Sequence, residues 1–516
     1  MADAVGEGDV AVFAEQHVAE VGVLAGADDT RHVRILDAAA RGGRPGRQPD
    51  ERRPVRRRRA FRRQRPVGFI MTCLAVIIVS LICILVVKPK KTHLKTRDGF
   101  FIVGFGWLLV IFIGCIPYLA SGYTDSFCSA FFESTAGFTT TGATVLTADE
   151  TPKAFLMWKA VSHWLGGMGI IVFTVSFLPT LGAGGHKIFK AEVPALKMDK
   201  IVSKISDSAK ILYLMYIGFT LLEFVLLSFS GMDIFDNIIC SLGCISTAGL
   251  VSHSIGLAYF DNLYIEFIIA VFTVLASVNF SLYTLAVSGN FREIGKDTEL
   301  RTFLSILAAS AVMISAGLYF SGTYDSIGKS VRYGFFHTIS FSSTTGYSLT
   351  DYSSWPYFCL SILFVLMLVG GCSSSTCGSL KVIRVIAMFK LIIRTIYRMV
   401  HPRAVVSVKV GGKTVSAEVA SQITSFVLTF FVILLGGTLL LSLQGFDFLT
   451  NISAAASMMS NTGISFGEVG ASGNFSIFAP PLQLVLSLLM ILGRLEIFTV
   501  LALLSPSFWN PDKAID

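Results

Sequence analysis

Charge is what this sequence has least of. Of its 516 residues only 15% are Asp, Glu, Lys or Arg, against about 25% in an average soluble domain, and mean hydropathy is +0.67. So few polar side chains cannot clothe a soluble globule, which excludes that class. Cysteine occurs nine times but never as C-x-x-C, and Cys73, Cys83, Cys115, Cys128, Cys240, Cys244, Cys359, Cys372 and Cys377 all lie in or beside apolar stretches. They read as small buried residues rather than a disulfide framework or a metal cluster. Enzyme signatures are missing as well: the chain has no H-E-x-x-H, no Walker loop and no G-x-S-x-G. The reading is therefore not an enzyme, with no cofactor bound by this chain.

What is abundant is apolar sequence in long runs. Residues 100–120, 211–229 and 417–443 each exceed the roughly 18 residues that cross a bilayer, which makes this a polytopic membrane protein. The first 66 residues differ in kind, with 14 Arg, no Lys, 10 acids and no long apolar run. Residues 1–66 read as a disordered, solvated tail rather than a nucleic-acid arm. Residues 67–98 hold one hydrophobic helix and a loop. Translocation is expected to use an internal apolar segment.

From residue 99 onward a unit repeats four times: a long apolar helix, a short amphipathic segment opening near an Asp, a Ser/Thr/Gly cluster, and a second long helix. The units cover residues 99–205, 206–297, 298–413 and 414–516. The short segments lie at 125–137, 233–245, 325–341 and 447–460, and the second helices of the first and last units are expected at 154–181 and 482–504. Segments of that length do not cross a membrane, so they read as re-entrant half-helices whose clusters return as irregular backbone. Such backbone survives at membrane depth only around protein or a water-filled cavity, and four copies imply a shared pore. The expected fold is an all-α polytopic membrane protein with four helix–re-entrant loop–helix repeats around a pseudo-fourfold pore, plus one preceding hydrophobic helix.

Lys and Arg crowd the connections between units, at Lys88 to Arg97, Lys187 to Lys210, Arg292 to Arg301 and Lys381 to Lys413. The loops flanking the clusters hold Lys153, Lys329 and Arg332. By the positive-inside rule the connections are cytoplasmic and the re-entrant loops enter from outside. Eight spans in the units plus one at 67–87 then leave the Arg-rich tail outside. A missing preceding helix, a start or frame foreign to the native sequence, or a genuine extension would each account for that, and the three stay open.

The clusters align as Thr140-Thr141-Gly142-Ala143, Thr247-Ala248-Gly249-Leu250, Thr344-Thr345-Gly346-Tyr347 and Asn461-Thr462-Gly463-Ile464. One such tetrapeptide means nothing; four in register point to backbone carbonyls that face an axis and replace an ion's hydration shell. Gly permits the angles such a strand needs, and hydroxyls add ligands or bracing. The expected ion site is therefore Thr140, Thr141, Gly142, Thr247, Ala248, Gly249, Thr344, Thr345, Gly346, Asn461, Thr462 and Gly463. A second feature, Gly370-Gly371-Cys372-Ser373-Ser374-Ser375-Thr376-Cys377-Gly378, interrupts the apolar run 360–388 and should unwind the helix there. Arg494 sits in the apolar run 482–504, where a charge must face a cavity or partner. Glu496 falls on another face of the same helix and is expected to meet a neighbouring helix or a dimer interface. Glu133 reads as a brace for filter backbone, Glu223 and Asn279 as helix–helix hydrogen bonders, and Gly166-Gly167-Met168-Gly169 as close packing.

These residues resemble the Trk/Ktr/HKT superfamily, specifically the Trk-type bacterial potassium uptake transmembrane subunit. The matching stretches are Lys95-Thr96-Arg97-Asp98-Gly99-Phe100, Phe132-Glu133-Ser134, Thr139-Thr140-Thr141-Gly142-Ala143-Thr144, Gly166-Gly167-Met168-Gly169-Ile170 and Gly493-Arg494. The resemblance implies potassium uptake across the bacterial inner membrane through a channel-like filter. It assigns the filter glycines to Gly142, Gly249, Gly346 and Gly463, a full set that goes with potassium. It implies that residues 370–378 form an intramembrane gating loop, with Arg494 beneath the filter in reach of that loop. It implies a homodimer, and a cytosolic ring of nucleotide-binding regulatory subunits. It also implies two hydrophobic helices before the first unit, where this chain shows one. The alternative left by the residues alone is an ion-coupled secondary transporter of another solute.

Overall fold

Among the described residues four helices have the length and apolar composition to cross a bilayer: Phe101–Ala120, Lys210–Ser228, Thr298–Phe320 and Ala417–Ser442. They are the outer helices of the four expected units. The computed structural model describes residues 96–124, 126–169, 205–404, 406–411 and 413–509, with scattered positions between 70 and 82 that are helical. The Arg-rich tail, most of the helix expected at 67–87, and the basic segment 170–204 lie outside the described residues.

Each outer helix is followed by a shorter one: Phe127–Phe138, Ile234–Ile245, Ile327–Ser342 and Phe448–Ser460. At about 1.5 Å per residue, helices of 12 to 16 residues reach roughly 18–24 Å, short of the ~30 Å hydrocarbon core. The Asp residues noted at their starts act in two ways. Asp233 and Asp447 are N-caps, accepting from Phe235 N and Thr450 N at 3.3 Å. In the first and third units the cap falls one residue later, at Ser126 and Ser326. The C-terminal halves of these helices are buried, so their carbonyl ends converge inside the protein, where the helix dipole favours a cation.

The inner helices depart from expectation. They begin as Lys153–Met168, Leu263–Ser277, Tyr357–Val369 and Pro480–Arg494, and among the described residues the last three are broken, where one break was expected. The second resumes as Phe280–Val287 after a 95° bend, and the fourth as Ile497–Leu504 after a 112° bend. The third is interrupted by the loop that starts at Gly370 and resumes as Val382–Val400. At the second break Asn279 caps the new half-helix, accepting from Ser281 N at 2.9 Å. At the fourth, Glu496 takes a left-handed φ of +58°. The first inner helix runs from Lys153 to Met168, with Gly169 at φ +75°, and residues 170–181 of the helix expected there lie outside the described residues. One two-stranded antiparallel hairpin, Lys409–Val410 with Lys413–Thr414, decorates the connection after the third unit and leaves the fold helical.

The core lies behind the cluster strands, where aromatic rings wedge the third and fourth units together. Phe341 stacks on Phe466 with centroids 5.6 Å apart, and Tyr352 donates to Ser465 O at 2.9 Å.

Candidate functional site

Each of the four clusters leaves its helix by the same turn. Thr140, Thr247, Thr344 and Asn461 have φ of +55°, +52°, +54° and +56°. The next residue donates its backbone N–H back to the helix: Thr141 to Ala136 O at 3.0 Å, Ala248 to Gly243 O at 2.8 Å, Thr345 to Ser340 O at 3.0 Å, and Thr462 to Ser457 O at 2.9 Å. This is the helix-terminating turn usually built on glycine or asparagine. Three threonines hold the left-handed position instead, at a cost of order 1–3 kcal/mol each, which persists only where the surroundings impose it.

The glycine two residues on is also left-handed in every strand: Gly142 at φ +75°, Gly249 at +64°, Gly346 at +79° and Gly463 at +84°. A Cβ built on Gly142 would strike Ala248 O, one on Gly249 Thr345 O, one on Gly346 Thr462 O, and one on Gly463 Thr141 O. Each glycine thus abuts the carbonyl of the next unit's strand, and the fourth returns to the first. The four strands form a closed ring. A cavity of about 160 Å³ opens against it, lined by Gly142, Gly249, Gly346 and Gly463 together with Glu133, Lys159 and His253.

The ring is pseudo-symmetric in backbone and asymmetric in side chains. Hydroxyl pairs brace three strands: Thr139 with Thr141 at 2.7 Å, Ser343 with Thr345 at 2.7 Å, and Ser460 with Thr462 at 2.8 Å. The second strand has Ala248 there, and Thr247 Oγ1 donates instead to Ser246 O at 2.8 Å. Asn461 Nδ2 donates to both Thr141 Oγ1 and Met490 O at 3.0 Å, stitching the fourth strand to the first. Among the described residues, the first strand alone is backed by a Lys–Glu ion pair. Glu133 accepts from Val145 N at 2.6 Å and Thr144 Oγ1 at 2.7 Å, while Lys159 Nζ reaches Glu133 Oε2 at 2.7 Å and Ala143 O at 2.8 Å. Glu133 does brace this backbone. Lys159 was not legible as its partner, because it sits in the first half of the inner helix, about two turns after the exposed Lys153.

Residues 370–378 lie immediately beneath the ring. A Cβ on Gly378 would strike Ser460 O, and Gly378 N donates to Thr344 Oγ1 at 2.9 Å. Ser374, like the Thr residues above, has positive φ, at +54°. The loop fits into the break of the second inner helix: Cys372 N donates to Ser277 O at 2.9 Å, Phe280 N to Ser374 O at 3.1 Å, and Thr376 Oγ1 to Ala276 O at 3.2 Å. Gly370 at φ +74° and Gly371 pack on Ser379 and Cys377, and Ser375 Oγ donates to Cys372 O at 2.6 Å. Arg494 reaches the same loop. Its guanidinium donates to Thr376 O at 2.7 Å, Gly166 O at 2.6 Å and Gly167 O at 3.0 Å. A charge at that depth is tolerable because backbone carbonyls receive it.

Glu496 meets a neighbouring helix, the first of the two alternatives expected for it: it pairs with Arg384 Nη2 of Val382–Val400 at 2.5 Å, from a position at the 112° break rather than on a continuous helix. Arg384 also lies 4.0 Å over the Phe426 ring. Lys381, in the left-handed region at φ +74°, donates to Cys377 O. Asn279, expected to hydrogen-bond between helices, instead caps its own half-helix and reaches Ser373 Oγ of the loop at 3.5 Å. Both oxygens of Glu223 are buried and have no hydrogen-bond partner among the described residues. Gly166 packs on Phe138 O and Gly167 on Ser246, which is the close packing expected of that motif.

Fold and site together define a multi-pass helical membrane protein whose four re-entrant units close a ring of backbone carbonyls and glycines. Comparison with known proteins gives that class a family: the model of a cation transport protein family, TrkH, matches residues 67–510, and the chain belongs to it. The Trk system potassium uptake protein TrkH of Escherichia coli strain K12 is 34% identical over 427 residues, covering 82% of this chain and 88% of that one. The protein of the same name from Vibrio parahaemolyticus is 36% identical over 454 residues, covering 86% and 92%. The crystal structure of the potassium transporter TrkH from Vibrio parahaemolyticus superposes with a TM-score of 0.77 at 34% identity, again covering 86% and 92%.

Proposed function

We propose that this chain takes up potassium across the bacterial cytoplasmic membrane through a channel-like pore. The filter is formed by Thr140 to Gly142, Thr247 to Gly249, Thr344 to Gly346 and Asn461 to Gly463, with potassium the transported ion. One observation carries the reading: the four glycines each abut the next strand's carbonyl and close on themselves. A closed ring of backbone oxygens at the ends of four converging helix dipoles is a site for a dehydrated monovalent cation. The Lys/Arg asymmetry of the loops supports entry from outside. The membrane potential supplies about 2.3 kcal/mol per charge per 100 mV.

Residues 370–378 are the gate in this reading, because they sit under the ring and are held by Arg494. A homodimer, and a cytosolic nucleotide-binding ring docking on the basic connections, are the partners the resemblance supplies. The test is rubidium flux and potassium-dependent growth in cells lacking their own potassium uptake. Rescue with flux that resists excess sodium supports the filter; saturable uptake of an organic solute at fixed stoichiometry would replace this reading with a secondary transporter.

A further inference from the structure

Glu299 stands in the first turn of the third outer helix, a place where an acid ordinarily faces water and offsets the helix dipole. Here that duty is already filled: Asp297 caps the helix, accepting from Leu300 N at 2.9 Å. Glu299 is instead 1% exposed. Both of its oxygens accept from one residue of the loop beneath the ring, Ser373, whose backbone N–H and hydroxyl each lie at 2.7 Å. Asn279 Nδ2 touches the same hydroxyl at 3.5 Å from the break of the second inner helix. A carboxylate this buried is costly unless hydrogen-bonded, and both donors it has found belong to the loop.

The loop is therefore gripped by opposite charges on opposite kinds of backbone group. An anion, Glu299, receives the N–H of Ser373, and a cation, Arg494, donates to the carbonyl of Thr376. A second cation, Lys381, donates to Cys377 O near the loop's end, and the docking bonds through Ser277, Phe280 and Ala276 are neutral. Charge-assisted bonds are roughly twice as strong as neutral ones, so the charged contacts dominate the loop's hold, with Glu299 supplying the anionic side. Glu299 has a further property that Arg494 lacks. It begins three residues after the short connecting helix Phe291–Lys296 ends, on the far side of the Asp297 cap. Glu299 thus stands between that connection and the loop.

We propose that Glu299 is the latch of the intramembrane gate: a positioning residue that holds residues 370–378 closed through Ser373 and links the gate to the connection between the second and third units. The proposal rests on the gate reading above. It is tested by basal rubidium flux in proteoliposomes containing the full chain and no regulatory subunit, for Glu299→Gln, Ser373→Ala, their double variant, Glu299→Asp, and a chain lacking residues 372–375.

Glu299→Gln is expected to raise basal flux at least about tenfold, the scale of losing hydrogen bonds to a charged group. Ser373→Ala should give a smaller rise, because the backbone N–H remains. The double variant should rise no further than Glu299→Gln, and Glu299→Asp should restore part of the closure. Rubidium-over-sodium preference should stay as in the parent, a result that a generally loosened pore would not give. Glu299→Gln flux at or below the parent in well-expressed protein overturns the latch, as does an additive double variant. Should Glu299→Gln fail to assemble, unchanged flux in Ser373→Ala overturns it alone. A rise in the loop-shortened chain with none in Glu299→Gln discards the latch and leaves the gate; no rise in the loop-shortened chain removes both.

Discussion

Lys159 and Glu133 form a buried ion pair directly behind the first strand of the ring, 2.7 Å from Nζ to Oε2. The other units carry Cys240, His337 and Ala454 at the position of Glu133, so one quadrant of four rests on full charges. Replacing Lys159 by Met strands a buried carboxylate and should cost about 3–5 kcal/mol. Glu133→Gln with Lys159→Met should recover most of that loss, since a buried pair removed together is often close to neutral. Thermal unfolding in detergent measures it, and a double variant as unstable as the sum of the singles would show that the two do not act as a pair.

Gly346 has no room for a side chain: a Cβ meets Thr462 O, and its φ of +79° disfavours every L-residue. Gly346→Ser must push the fourth strand outward. Preference for rubidium over sodium is expected to fall about tenfold, which is ~1.4 kcal/mol. Competition flux reads it directly, and an unchanged ratio would argue that these strands do not select the ion.

Arg494 donates to three carbonyls that belong to two different units, Thr376 on one side and Gly166 and Gly167 on the other. Arg494→Lys retains the charge but not the fork that spans them. Basal flux should increase in the order parent, Arg494→Lys, Arg494→Ala. Equal flux in all three would mean that the guanidinium does not restrain the loop.

Beyond the ring, Asp149 and Ser254 join the first two units. Ser254 N donates to Asp149 Oδ1 and Asp149 N to Ser254 Oγ, both at 3.3 Å. Hydrogen bonding by Ser254 holds the Asp149 carboxyl below its ordinary value. A depressed carboxylate contributes its stability above its unfolded value and loses it as pH falls through the folded one. This link is therefore expected to be intact at neutral pH and to loosen only below about pH 4. Hydrogen exchange of the 148–150 and 252–256 loops against pH would follow it, and Ser254→Ala, which keeps the backbone N–H but loses the hydroxyl, should weaken the dependence.

The four-unit plan, the four glycines and the loop in the third inner helix were legible because each leaves a compositional mark: Gly, Ser and Thr inside otherwise apolar sequence. The breaks in the second and fourth inner helices leave almost none. Val278-Asn279 and Leu495-Glu496 contain neither Gly nor Pro, and an apolar run reads as one helix whether or not it turns by 112°. Asn279 in a capping position and two opposite charges, Arg494 and Glu496, in one span were the available hints. Partnership was least legible of all. Glu299 looks like an ordinary first-turn acid and Lys159 like an interfacial base, and only the fold brings each to a backbone far away in sequence.

The ring of glycines is closed by a single polypeptide, so none of its four quadrants is a copy of another. In a pore assembled from identical subunits every substitution is made four times at once, and the ion meets either the old ring or a wholly altered one. Here one codon moves one quarter of the perimeter. With the ring as the proposed filter, selectivity is open to change in single steps, and the unmatched Ala248 and the Glu133–Lys159 pair are places where one quadrant already differs from the others.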